Sequence, residues 1–173
     1  MQKEKLIPDT TFFSFFLYNT WEKEYLKKIL KEFYVEVCPK VHKEIDNYAP
    51  EDIKKDLHFF NEELDFSGLL KPLFSEGQIE KGEHGVIVLA YFNYNLGIKE
   101  FIIVLDDKGA RNFMKNNFPY LENITKWTAE FIKDCYPKIF NKEQILDLLD
   151  KMGKSTFAID EDSLNKIIQE IQK

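Results

Sequence analysis

Asp9, Glu44, Glu83 and the pair Asp106-Asp107 each stand where a short apolar segment gives way to a helix-like one. Apolar runs of strand length that alternate with amphipathic segments imply a parallel sheet with crossover helices. In such a sheet the C-terminal strand ends share one edge, where α/β folds build their ligand sites. The alternation therefore gathers the acids at one edge. Carboxylates gathered without basic partners repel one another, and the usual relief is a hard divalent cation held by oxygen. This pattern points to a metal-dependent site suited to phosphate chemistry.

Along the chain, residues 5–8 read as a short strand ending at Asp9, and the dense aromatics from Phe12 to Leu17 predict a buried helix over 10–19. Trp21, Tyr25, Leu26, Ile29, Leu30 and Phe33 have helical spacing over 21–33. A strand follows at 34–38, then Pro39 opens a helix at 40–48. A second amphipathic helix is expected over 49–60. Residues 61–81 carry no clear period, although Leu69, Leu70, Leu73 and Phe74 fit a short helix. An apolar helix over 83–95 ends at Gly97, and Phe101–Leu105 is the strongest strand signal. A short helix at 110–117 precedes Pro119. The pattern then turns helical, at 124–136, 142–152 and 162–171, with Gly153 as a break. The expected fold is α/β: a central parallel sheet flanked by helices in three layers over 1–120, with a helical extension, 121–173, packed on the same domain.

At 173 residues, 44% of them hydrophobic and 15% aromatic, the chain can bury a full core and is not an intrinsically disordered sequence. A net charge of −6 argues against a general polyanion-binding surface, though not against a nuclease whose acids are neutralised by metal ions. No apolar run approaches the length that spans a bilayer, and the N-terminus is charged rather than signal-like, so cytoplasm is the expected compartment. Cys38 and Cys135 have neither zinc-site nor disulfide-framework spacing.

The order of the motifs resembles the PIN-domain family. Asp9-Thr10-Thr11 follows the first strand, Val41-x-x-Glu44 lies on the helix after the second, and Gly82-Glu83-x-x-x-Ile87-x-Leu89-Ala90 opens a later helix. An apolar strand then runs into Asp106-Asp107-x-x-Ala110-Arg111. The likeness covers roughly residues 5 to 120 and is greatest to a branch described as nucleic-acid-binding. It implies a magnesium- or manganese-dependent endoribonuclease acting on single-stranded RNA, as a toxin of a toxin–antitoxin pair or as an RNA-processing factor. The implied partners are the RNA, an antitoxin protein and a second copy of the chain in a homodimer. Carried over by position, Asp9 and Glu44 match the first two acids, and Asp106 and Asp107 both cover the last, with Asp107 preferred as metal ligand. Glu83 is the implied outer-shell base, and Thr10 and Arg111, the chain's one arginine, are the implied substrate contacts.

One position departs from the pattern. The family branch carries a second glutamate two residues after the Gly-Glu step, and this chain has Gly85 there. Residues two apart on a helix point in nearly opposite directions, so Glu83 replaces that acid only if it precedes the first regular turn. On this reading Gly85→Glu should tighten Mn²⁺ binding. The alternative function is a catalytically weakened PIN fold that binds nucleic acid or protein. A receiver-like α/β regulator, with Asp106-Asp107 as its acidic pocket, fits the motif order less well.

Overall fold

The computed structural model describes residues 3–60, 82–98, 100–157 and 160–172. Five parallel strands form one sheet in the order β3-β2-β1-β4-β5, with helices around it. They are β1 (Lys5–Pro8), β2 (Tyr34–Val37), β3 (His58–Phe59), β4 (Phe101–Val104) and β5 (Thr125–Lys126). Among the described residues no helix is long and apolar enough to cross a membrane.

The central strand shows why the sequence folds this way. Leu6 and Ile7 point to opposite faces of β1 and both are fully buried, as expected of a strand covered on each side. It pairs in register with β4, from Lys5 against Phe101 to Pro8 against Val104, and with β2 on its other edge. Strand order reverses at β1, so the C-terminal ends of β1 and β4 diverge and leave a crevice between the connections that follow them. Asp9 begins one connection and Asp106 the other.

After β1 the chain forms α1 (Thr10–Ser14), which widens into a π-helical turn over Phe15–Asn19. Phe12, Phe13, Phe15 and Phe16 are all fully buried there. They meet edge-on, at 5.2 Å between Phe12 and Phe16 and 4.8 Å between Phe15 and Phe16, the arrangement aromatic quadrupoles favour. Phe12 also reaches Phe131 at 5.7 Å, and Phe15 reaches Phe157 at 5.4 Å. The C-terminal helices therefore share this core. Beneath β2 the buried Glu36 is matched by Lys5 Nζ at 2.9 Å and by Asn93 Nδ2 at 3.0 Å, which offsets the cost of burying its charge.

Among the described residues the remaining α-helices are α2 (Lys23–Glu32), α3 (Pro39–Asp46), α4 (Glu51–Lys54), α5 (Gly82–Asn95), α6 (Lys108–Asn117), α7 (Thr128–Asp134), α8 (Lys142–Lys154) and α9 (Glu161–Gln172). Three expectations are corrected. The helix foreseen over 49–60 is a single turn, α4, followed by edge strand β3. Ile53, Leu57 and Phe60 imitate helical spacing, but Phe60 N–H donates to Val37 O at 3.1 Å and extends the sheet. The helix foreseen from 124 starts only at Thr128, because Thr125–Lys126 forms β5 beside β4. The sheet thus continues past residue 120, and the stretch after Pro119 is not purely helical. Gly153 does not break a helix but lies inside α8, where a Cβ would stand 3.2 Å from Leu164 of α9. The short helix expected around residues 69–74 lies outside the described residues.

Candidate active site

Asp9 leaves the centre of the sheet at its C-terminal edge and is only 1% exposed. Its backbone N–H continues the ladder to Val104 O at 3.0 Å. One carboxylate oxygen accepts the Phe12 N–H at 2.9 Å, capping α1, and the other accepts the Asp106 N–H at 2.9 Å. The side chain thereby ties the end of β1 to the end of β4. Burial, with the nearby charges of Asp106 and Glu83, pushes its pKa up to about 8. The two backbone donors oppose that rise without cancelling it.

Glu44 comes from the middle of α3 and accepts the Thr10 hydroxyl. The opening of α5 closes over this pair: a Cβ on Gly82 would lie 2.8 Å from Glu44 Oε2 and 3.2 Å from the Thr10 hydroxyl. Only glycine allows helix and carboxylate to approach so closely. Glu83 follows in the first turn of α5. Asp9, Thr10, Thr11, Lys40, Glu44, Gly82 and Glu83 line a cavity of about 420 Å³. Three of the expected acids are therefore gathered at one edge of the sheet.

The Asp106-Asp107 pair divides its duties. Asp107 is exposed and caps α6, accepting the Ala110 N–H at 2.6 Å. Asp106 stands against Asp9 instead. Its carboxylate accepts the Thr128 N–H at 2.8 Å and the Thr128 hydroxyl at 2.5 Å, and burial raises its pKa. Geometry thus couples Asp9 to Asp106, where the sequence reading preferred Asp107. Thr128 is fully buried and went unnoticed in the sequence, where its only signal is a threonine opening a helix. Tyr48 was also missed. Its hydroxyl lies 3.1 Å from Ser14 Oγ and donates to Thr10 O at 3.4 Å, and burial raises its pKa.

Arg111 does not reach toward a ligand through its bonded nitrogen, which donates to Leu105 O and to Asp106 O at 2.7 Å each. It clamps the turn that presents Asp106. A lysine ammonium ends its four-carbon stem about one bond short of that nitrogen and does not reach both carbonyls from the same backbone position. Arg111→Lys is therefore expected to lower stability by about 1–2 kcal/mol in urea denaturation. An unchanged midpoint would show that the clamp contributes nothing.

Position 85 points elsewhere than the sequence reading supposed. A Cβ on Gly85 would stand 2.6 Å from Cys38 Sγ and 3.8 Å from Lys40 Cβ. Its direction is into the contact between α3 and α5. An acid at 85 would therefore meet the Cys38 thiol before it could approach the cluster.

The oxygen-only donor set and the crowding of Asp9 by other carboxylates suit a hard cation. Among the described residues, however, no three His, Cys, Asp or Glu side chains converge closely enough to enclose an ion. The fit is to a hydrated ion that keeps most of its own waters, as magnesium does, and not to a protein cage. No protein-family model matches the chain, and neither a curated protein nor a solved structure matches it.

Proposed function

We propose that the chain is a metal-dependent endoribonuclease of the PIN type, hydrolysing phosphodiester bonds of single-stranded RNA in the cavity beside Asp9. The observation that carries this reading is the buried Asp9 carboxylate, crowded by Asp106 and Glu83 at the divergence of β1 and β4. A strand order of 3-2-1-4-5 is compatible with a PIN-like fold, and it differs from the 2-1-3-4-5 order of receiver-like sheets.

Asp9 and Glu44 would hold hydrated magnesium or manganese, with Glu83 beside its water shell. When bound, such an ion acidifies water and offsets the charge of the phosphate. The chain's own groups supply the positioning. Thr10 fixes the rotamer of Glu44, the Phe12 and Asp106 amides fix Asp9, and Thr128 holds Asp106 in place. In hydrolysis the attacking water forms the new P–O bond while the bond to the leaving ribose oxygen breaks. The water's proton passes to Glu83, and the leaving oxygen takes a proton from solvent. A homodimer, a cytoplasmic setting and, for a toxin, an antitoxin partner belong to the same reading.

A second reading keeps the cavity but not the chemistry: a module that holds nucleic acid or a protein partner. It is favoured by the absence of a converging three-acid group among the described residues. Cleavage of a mixed-sequence single-stranded RNA in Mn²⁺ separates the two, with wild type beside Asp9→Asn. The nuclease reading expects cleavage by the wild type and a loss of at least 100-fold in the variant. Equal cleavage by both would place the activity elsewhere, and RNA binding without cleavage would leave the binding module.

A further inference from the structure

Lys40 is the lysine among the described residues that line the acidic cavity. It sits in the first turn of α3, four residues before Glu44, so one helix face presents both side chains. Local physics argues against a cation there. The amino end of a helix carries partial positive charge, and lysine is disfavoured within its first turn. Lys5, Lys23, Lys27, Lys54, Lys115, Lys126, Lys133, Lys151 and Lys154 each form an ion pair with a described carboxylate, whereas Lys3, Lys31, Lys43 and Lys55, among others, form none. Lys40 forms none with a described residue, although Glu44 and Glu83 border the same cavity and Glu44 is occupied by Thr10 instead.

Lys108 and Lys142 also open helices without an ion pair to a described residue, but Lys40 alone of the three lines the acidic cavity, and that placement is where function is to be sought. We infer that Lys40 is a substrate-contacting residue whose ammonium binds a phosphate of the RNA single strand in the cavity. The inference rests on the nuclease reading and names its phosphate contact. The acids alone would repel a polyanion, and a lysine among them supplies a point charge at the place where a phosphate must approach.

Salt dependence tests this in a way that a packing role would not reproduce. Each lysine–phosphate contact releases condensed counterions, so its loss lowers the slope of log K against log salt by about 0.7 for a single strand. The probe is a fluorescein-labelled 20-nucleotide RNA of mixed sequence, bound in Ca²⁺ between 50 and 200 mM KCl (conditions chosen on the order of the physiological range). Lys40→Gln is expected to lower the slope by about that amount and to weaken binding similarly for different sequences. Lys40→Arg should restore both, and the exposed Lys166→Gln should change neither. Tighter Mn²⁺ binding by Lys40→Gln with an unchanged salt slope would overturn the inference, since Lys40 would then merely neutralise neighbouring acids. Wild-type protein that neither binds nor cleaves RNA would overturn the nuclease reading and this contact together. Wild-type cleavage with an unchanged slope in Lys40→Gln would overturn the contact alone.

Discussion

Gly85→Ala will lower the stability of the wild-type chain and raise it once Cys38 is alanine. Two opposing terms set the sign. Alanine in a helix interior is favoured over glycine by about 1 kcal/mol. Against this, the new Cβ would stand 2.6 Å from Cys38 Sγ, closer than side chains pack. Cys38 is fully buried, so its thiol has little room to turn, and overpacking of this kind costs about 1–3 kcal/mol. Burial pushes the thiol's pKa up to about 11, so at neutral pH it is an uncharged, unreactive filler. Truncating it leaves Cys38 Cβ 3.4 Å from the new methyl, a tight but tolerable approach, and the helix preference then decides.

The same geometry governs Gly85→Glu, which carries the overlap and a charge into the contact of α3 with α5. It is expected to destabilise the wild type by about 2–4 kcal/mol rather than to improve a cation site. Urea denaturation of the four members of the Cys38/Gly85 alanine cycle measures the coupling directly. If Gly85→Ala has the same sign in both backgrounds, the thiol is not the obstacle. Tighter Mn²⁺ binding by folded Gly85→Glu would mean that position 85 reaches the cavity after all.

This pair also shows where sequence reading stops. The acids and their gathering at one edge could be read, because strands β1, β2 and β4 are apolar runs and each is followed by a distinct helix signal. The sheet's outer strands could not. Each of β3 and β5 has two residues, too few to display a period, and both exist only because β2 and β4 offer them an edge. Asp106 and Asp107 are neighbours with identical side chains, and only the turn held by Arg111 determines which one caps α6 and which one meets Asp9. Position 85 was read from a motif, yet its surroundings are set by Cys38, 47 residues earlier in the chain by subtraction. Thr128 and Lys40 become visible only when tertiary contacts show what they touch, or fail to touch.

Asp9→Asn will gain stability relative to the wild type progressively as pH rises from about 5 to 8. The ordinary carboxyl pKa of 3.8 applies to the unfolded chain, and the folded value lies near 8, raised by burial and then by Asp106 and Glu83. Between these two values the folded state holds a proton that the unfolded state has lost. Stability from this group is complete below the unfolded value and is lost as pH rises toward the folded one. The slope approaches about 1.4 kcal/mol per pH unit while the difference is one proton. Asp106, raised in the same direction, adds to the decline. The quantity to read is the difference between wild type and Asp9→Asn, because titrations remote from Asp9 then cancel. Asparagine gives up one of the two backbone hydrogen bonds, which lowers the whole difference curve without changing its slope. Curves that stay parallel across this range would show that Asp9 is not crowded. Mn²⁺ at pH 7.5 should stabilise the wild type and not the variant, since a ligand bound only by the folded state raises stability by mass action. A cation would thus recover the stability that the buried acids cost. Such a recovery would be the energetic mark of acids kept close together at a cost to folding.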